Sequence, residues 1–165
     1  MSFPPDVIER GRAYLKSKAA ELSTEEIVAK VEAALGKAHA AAEAIPAERF
    51  DVPPSEGEWS GEECLRHLVE WDVRNAQQVL YVALSGEMPP EAGVELPAGR
   101  DALLARHREA IDSLFAHVRE AAPDAFLDVM WEHPFFGALN WREWLLFLEL
   151  HNRDHGGQLQ AIAGD

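Results

Sequence analysis

The sequence is poor in positive charge, and this shortage argues against two classes of partner. It contains 15 Lys and Arg residues against 29 Asp and Glu residues, so its formal net charge is −14 at pH 7. Nucleic acids and anionic membrane surfaces are bound through clustered Lys and Arg side chains, and no such cluster occurs in this sequence. We therefore expect neither nucleic acid nor a membrane as a partner.

Cysteine is nearly absent, and long apolar runs are absent. Cys64 is the one cysteine, so the chain cannot form an internal disulfide, which fits a reducing compartment. No apolar run approaches the roughly 18 residues that a membrane-spanning helix needs. The first residues lack the charged and apolar regions of a signal peptide. The expected location is the cytoplasm.

Strand signals are weak, whereas helix signals recur along the chain. Alternating runs of β-branched residues between turn residues are missing. A capping pattern, in which Ser or Asn is followed three residues later by Glu, occurs at Ser23, Ser60 and Asn140. Apolar side chains recur at helical spacing after each of these positions.

These patterns predict an all-α protein with a single domain over residues 1–165, built as a four-helix bundle. Similar helix lengths, about 20 residues or 30 Å each, and apolar stripes favour a bundle. The bundle helices are predicted at 23–46, 60–86, 100–121 and 140–163, with an additional N-terminal helix at 1–22. The aromatic-rich stretch 123–140 is predicted to pack over one end of the bundle, and long loops of this kind are often functional.

The stretch 149-ELHNRDHGGQL-159 places two histidines, His151 and His155, on the apolar side of the predicted last helix. Residues four apart are neighbours on one helix face, with Cβ atoms about 5–6 Å apart, so both imidazoles can reach one metal ion. The spacing alone is weak evidence, because a buried histidine is more often a hydrogen-bonded core residue. His67 lies on the apolar stripe of another helix. Three histidines from two facing helices would form a site with positions open to water or substrate.

Three segments of the sequence resemble the DinB-like (damage-inducible) superfamily of metal-binding four-helix bundles. The first is 59-WSGEECLRHLVEWD-72, which would begin the second bundle helix. The second is 131-WEHPFFGALNWREW-144, which leads into the last helix, and the third is 148-LELHNRDHGGQLQAI-162. The resemblance extends from residue 59 to residue 165, and the first bundle helix matches only in its pattern.

The resemblance implies that His67, His151 and His155 hold a divalent metal, for which we expect Zn or Ni, with Fe or Mn as alternatives. It implies helices that run up, down, down and up, in a protein that is often a homodimer. It also implies a function, because related proteins include metal-dependent thiol S-transferases and thiol-dependent isomerases, which use a low-molecular-weight thiol such as bacillithiol, mycothiol or glutathione. A transferase conjugates the thiol with a small-molecule electrophile.

Three other interpretations remain open at this point. The protein would be a metal-dependent hydrolase in the first and a non-enzymatic metal-binding stress-response protein in the second. In the third it holds no metal, and the bundle is a dimerisation module with buried, hydrogen-bonded histidines. The pattern does not identify a general base for any of the catalytic alternatives.

Five further residues are candidates for contacts behind the metal ligands or in a substrate cleft: Cys64, Asn75, His107, Phe136 and Gln158. Cys64 is more simply a buried structural residue, since free cysteine packs as a small apolar side chain. His107 is more simply a hydrogen-bonded core histidine. Asn75 and Gln158 can orient a ligand histidine through its second ring nitrogen, or bond a buried carbonyl.

The glycines at positions 156 and 157 are unexpected within a helix, because each costs roughly 1 kcal/mol relative to Ala. Close approach of another helix would explain them, and so would a local distortion beside His155. If the helix ended there, Gln158 and Leu159 would lose their predicted faces.

Overall fold

The structure is a computed structural model that describes residues 4–90 and 92–164. Within these ranges it contains α1 (Pro5–Glu21), α2 (Thr24–Ala44), α3 (Gly61–Ser85), α4 (Arg100–Val118) and α5 (Trp141–Ala163), a short 3₁₀ turn at Ala47–Arg49, and strands β1 (Met130–His133) and β2 (Gly137–Asn140). The prediction of an all-α four-helix bundle is confirmed. Residues 1–3 of the predicted N-terminal helix, and residues 91 and 165 of the predicted domain, lie outside the described residues.

Reciprocal capping bonds fix where three of the helices begin. Ser23, Ser60 and Asn140 each accept the backbone N–H of the Glu three residues later, and that Glu accepts the N–H of the cap residue in return. These bonds satisfy N–H groups that have no partner inside the helix. The helices therefore start directly after the residues that the sequence pattern marks as caps.

The end of α4 differs from the predicted one. The helix ends at Val118 rather than at residue 121. The next N–H groups bond three residues back instead of four, from Glu120 to His117 O and from Ala121 to Val118 O. This tighter turn ends the α-helical ladder earlier than the apolar pattern suggests.

Contacts at both ends show that α2 and α5 run parallel. Near the start of each helix, Arg142 donates to Thr24 Oγ1 at 3.0 Å. At the other end Arg49, just after α2, donates to the carbonyl of Ile162 at 2.9 Å.

The other two bundle helices run in the opposite direction. At the end of α4, Arg119 lies 2.7 Å from Glu25 at the start of α2. At the start of α3, Cys64 lies 3.8 Å from His155 near the end of α5. In chain order the bundle helices therefore run up, down, down and up, as the resemblance implies.

A small β-hairpin lies in the stretch 123–140, where the sequence shows no recognisable strand signal. β1 and β2 pair antiparallel, with Met130 opposite Asn140 and His133 opposite Gly137. Strands of four residues are too short for an alternating pattern to stand out, and Gly137 has a φ of 71°, which favours glycine. Trp131 stacks on Trp144 of α5 with ring centroids 5.4 Å apart, so the hairpin packs against the start of that helix.

A polar layer separates two apolar clusters inside the bundle. The larger cluster surrounds the first half of α5 and the smaller one surrounds its end, so that Leu148 belongs to the first and Leu159 to the second. Each bundle helix contributes buried polar side chains between the two clusters: His39, Asp72, His107, His151, Asn152 and His155. The described helices include none that is both long and apolar enough to cross a membrane.

The two glycines of α5 lie in different surroundings, and the helix continues through both to Ala163. A Cβ atom at Gly156 would lie 3.2 Å from Ala38 Cα, so a close approach of α2 explains the glycine there. A Cβ atom at Gly157 would meet no atom within 4 Å. Because the helix is continuous, Leu159 stays in the core and Gln158 stays one turn from His155.

Candidate metal centre

Three imidazoles converge between α3 and α5. His67, His151 and His155 each offer a ring nitrogen, and these atoms all lie within 4.8 Å of one another. The ring centroids are 4.6 to 5.7 Å apart. The antiparallel packing of α3 against α5 therefore assembles the three histidines that the resemblance names.

The ring of His151 is held from behind by a carboxylate. Asp72 Oδ1 lies 2.7 Å from His151 Nδ1. A carboxylate only accepts hydrogen bonds, so Nδ1 carries the hydrogen and Nε2 of the neutral ring keeps its lone pair. A carboxylate behind a ligand histidine is the usual arrangement around protein-bound metals.

The ring of His155 is held in a similar way by an amide. Gln158 Oε1 lies 3.1 Å from His155 Nδ1, and the amide oxygen accepts the hydrogen of that nitrogen. Gln158 therefore lies beside the second ring nitrogen of His155. Its side-chain nitrogen lies 3.4 Å from Asp154 Oδ2, a weak contact that faces solvent.

Cys64 packs behind His155 and does not join the three nitrogens. Its Sγ atom lies 3.8 Å from His155 Nδ1 and 3.6 Å from Gln158 Oε1. Burial, together with the negative charge of Asp154, raises the pKa of the Cys64 thiol to about 12. The side chain is therefore a thiol at neutral pH, which favours its structural interpretation.

The protonation state of two of the three histidines suits a metal ion. Burial, together with the neighbouring histidines, lowers the pKa of His67 and His155 to about 4. Neutral imidazoles with free lone pairs are ligands that Zn, Ni and Fe accept. The donor set therefore fits a divalent transition metal, with three protein ligands and room for others.

The three histidines line a cavity of about 1030 Å³. Its other walls are mostly aromatic and apolar, and they include Trp59, Trp71, Phe136 and Phe147. Helix α1 closes one side, where a Cβ atom on Gly11 would lie 2.7 Å from Phe136 Cε1. Glycine at this position lets α1 pack close to the hairpin, where Phe136 lines the cavity.

Among the described residues, Asn75 and His107 make no hydrogen bond to the three histidines. Asn75 is buried, and its Nδ2 atom has no hydrogen-bond partner in the part of the chain that the structure describes. His107 is also buried, and its Nε2 atom lies 2.9 Å from Asp72 Oδ2. His107 is therefore a hydrogen-bonded core histidine that reaches the cluster only through Asp72.

Asp72 is the main residue that sequence reasoning missed. Its signal was available, because a charged residue four positions after Leu68 and three before Asn75 lies on the apolar stripe of α3. Burial opposes its ionisation. However, favourable electrostatic interaction with His151 and the hydrogen bonds that His107 and His151 donate hold the pKa of Asp72 below its usual value. Asn152, also missed, donates its side-chain N–H to Asp72 Oδ2.

His133 belongs to the cavity wall, next to the cluster. Its Nδ1 atom accepts the backbone N–H groups of Phe135 and Phe136 at 3.1 and 3.2 Å. Its ring lies 4.5 Å from that of Phe147, which in turn stacks on His151 at 5.3 Å. The hairpin thereby connects the cavity wall to one histidine of the cluster.

Comparisons with known proteins agree with this architecture. The sequence model of a family described as the DinB superfamily matches residues 30–159. Among solved structures, the chain is similar to one titled "Crystal structure of TT2238, a four-helix bundle protein", with 24% identity and a TM-score of 0.61. The similarity covers 84% of this chain and 99% of that chain, and at this identity it shows the fold alone. No curated protein matches the sequence.

Proposed function

The chain belongs to the DinB superfamily, and from this premise we propose that it is a divalent-metal-dependent thiol S-transferase. In this proposal His67, His151 and His155 hold the ion, with Zn or Ni expected first and Fe or Mn as alternatives. The substrates are a low-molecular-weight thiol and a small electrophile. A new S–C bond joins them as the S–H bond of the thiol breaks and the electrophile releases its leaving group, which is bromide for monobromobimane.

One observation carries the proposal, namely the three imidazoles that converge on the wall of a large cavity. The Nδ1 atoms of His151 and His155 are engaged by Asp72 and Gln158, so the lone pairs remain on Nε2. Histidines that serve only the core are satisfied by protein partners on the inside. Here the free nitrogens gather beside a space that can admit a substrate.

The cavity walls support binding of an apolar electrophile beside the histidines. The rings of Trp59 and Trp71 lie 4.8 and 6.2 Å from that of His67. Apolar walls of this kind bind the apolar part of a small molecule and exclude water from the reacting atoms. A bound divalent ion supplies one further element, because it holds a thiol in the deprotonated form.

The thiol's proton needs an acceptor, and the chain offers a carboxylate for it. Asp154 lines the cavity and is exposed, so its carboxylate can receive a proton and release it to solvent. Glu149 is less suited to this role. It already accepts the hydroxyl of Tyr14 at 2.9 Å and the guanidinium of Arg153 at 3.2 Å. We therefore assign the proton to Asp154.

The test begins with metal content and proceeds to thiol chemistry. We expect about one equivalent of divalent metal by mass spectrometry in the wild-type protein, and none in His67→Ala, His151→Ala or His155→Ala. With the metal present, glutathione, bacillithiol and mycothiol are each offered together with monobromobimane. At least one of them should form the thioether faster than in the absence of protein.

A matched control separates the site from a general effect of histidine removal. His117 is exposed, and among the described residues its hydrogen-bond partner is the carbonyl of Ser113, so His117→Ala should retain both the metal and the rate. Bound metal without any rate, across the three thiols and Zn, Ni, Mn and Fe, would overturn the transferase and favour a non-enzymatic metal-binding protein. Ester or amide hydrolysis instead of thioether formation would favour the hydrolase.

Oligomeric state is a separate part of the proposal. We expect a homodimer, which light scattering coupled to size-exclusion chromatography measures directly. A mass near 18.3 kDa, that of one chain, would contradict it.

A further inference from the structure

We infer that His107 and His39 are positioning residues, which fix the tautomer of His151 through Asp72 and thereby strengthen its binding of a divalent cation. The presence of a cation at His151 rests on the function proposed above, whereas the tautomers of the histidines are properties of the metal-free protein. The two residues form the outer part of a hydrogen-bonded chain that crosses the bundle from α5 to α2.

The chain of hydrogen bonds is continuous over four side chains from four helices. His151 Nδ1 lies 2.7 Å from Asp72 Oδ1, and Asp72 Oδ2 lies 2.9 Å from His107 Nε2. The other nitrogen of that ring, His107 Nδ1, lies 3.1 Å from His39 Nε2. The cavity side of α5 is thus connected to the α2–α4 side of the bundle.

The carboxylate of Asp72 fixes the direction of two of the three hydrogen bonds. It accepts at both oxygens, so His151 donates from Nδ1 and His107 donates from Nε2. In the neutral form of His107 the lone pair lies on Nδ1, and His39 donates to it from Nε2. The same logic leaves the lone pair of His151 on Nε2, the atom that a metal requires.

Water competes little for these hydrogen bonds, because the side chains that form them are buried. Asp72 and His107 are fully buried, and His39 is only 8% exposed. The hydrogen-bonded chain lies between the two apolar clusters, where an unpaired polar group is destabilising. Burial and the neighbouring His107 lower the pKa of His39 to about 4, which is consistent with a neutral donor.

His107 contributes to the orientation of the Asp72 carboxylate, which has several hydrogen-bond donors around it. Asn152 also donates to Oδ2, so without His107 the carboxylate retains a donor but loses one of the two on that oxygen. We expect it to rotate and to hold Nδ1 of His151 less firmly. Loss of a partner behind a metal ligand typically weakens metal binding about 10–100-fold, and a residue one step further out should act at the lower end of that range.

The first measurement is the tautomer of each histidine in the full-length, metal-free protein, by long-range ¹H–¹⁵N correlation NMR. We expect His151 to carry its hydrogen on Nδ1, and His107 and His39 on Nε2. A His107 ring with its hydrogen on Nδ1 would overturn the inference without any variant.

The second measurement compares variants of α4. His107→Phe removes the donor, and we expect mixed tautomers at His151 and about 10-fold weaker Co²⁺ binding, read from the absorption spectrum. His107→Gln restores a side-chain N–H toward Asp72 and should recover most of the affinity. His117→Phe, on the exposed face of the same helix, is the matched control and should change neither readout.

The outcomes separate this inference from the proposed function. An unchanged His151 tautomer and unchanged Co²⁺ affinity in folded His107→Phe would overturn the inference. If that variant does not fold, His39→Phe at the edge of the core replaces it, and a change at His151 is again required. Metal binding without thiol transfer leaves the inference supported while the transferase fails.

Discussion

The two halves of α5 differ in the side chains that they bury. From Trp141 to Leu148 the buried residues are apolar except for Arg142 and Glu143, and they form the middle of the larger apolar cluster. The second half instead buries His151, Asn152 and His155 among its inward positions.

The difference separates residues that stabilise the fold from residues that form the site. Burial of a large apolar side chain is worth about 1.5–3 kcal/mol. A buried hydrogen bond contributes only about 0.5–1.5 kcal/mol net and requires both partners. We therefore expect the first half of the helix to determine stability and the second half to determine ligand binding.

The largest effect on stability is expected in the apolar half. Trp141 is fully buried, and its Nε1 atom donates to the carbonyl of Ala125 at 2.7 Å. Trp141→Ala should lower the free energy of unfolding by about 3–5 kcal/mol. Urea denaturation measures the loss. Metal content per folded molecule should stay at the wild-type value. Loss of the metal would contradict the expectation that the first half determines stability and the second half determines ligand binding.

The polar half should show the opposite response. His151→Ala removes one of three ligands, so metal affinity should fall by more than about 100-fold, beyond the range expected for an outer partner. In the metal-free protein the free energy of unfolding should change by less than it does in Trp141→Ala. Competition with a coloured chelator measures the affinity, with His117→Ala as control. Wild-type affinity in His151→Ala would remove this residue from the site.

Acid should destabilise the polar layer and the cavity wall. Burial lowers the pKa of His39 and His133 from 6.5 to about 4, with neighbouring histidines adding to the shift. The unfolded chain therefore binds more protons than the folded chain between these two pH values, and stability falls as pH falls from 6.5 toward 4. The Tm of the metal-free protein should drop across this window. His39→Gln should flatten the curve, and an equally steep curve would contradict the assignment.

A smaller effect on stability is expected at the N-terminal cap of α5, where its apolar half begins. Asn140 Oδ1 accepts the N–H groups of Arg142 and Glu143 at 3.0 and 3.1 Å. Asn140→Ala should cost about 1 kcal/mol, whereas Asn140→Ser keeps a capping oxygen and should cost less. Equal losses in the two variants, measured by thermal denaturation, would show that the cap is not the cause.

The smallest effect distinguishes the two adjacent glycines. Gly157→Ala has free space and should stabilise α5 by up to about 1 kcal/mol. Gly156→Ala should bring no such gain, because its Cβ would lie 3.2 Å from Ala38 Cα and 3.3 Å from Ala38 Cβ. Thermal denaturation of both variants measures the difference. A gain at Gly156 equal to that at Gly157 would mean that α2 and α5 separate easily.

Much of the fold follows from patterns that are local in the sequence. The capping boxes at Ser23, Ser60 and Asn140 act over three residues, and the apolar stripes repeat every three or four. Such signals predict where helices start and which face they bury. The hairpin at 130–140 was not predicted, because its strands are too short to show a period and its turn depends on Gly137.

Local sequence patterns therefore predict the helical bundle, the starts of three helices and the presence of three histidines on inward faces. Which atoms meet depends on tertiary packing. Asp72 and His151 are 79 residues apart, and their hydrogen bond depends on how α3 and α5 are rotated and displaced against each other. That arrangement follows from the packing of both apolar clusters at once, and periodicity within a single helix carries no information about it.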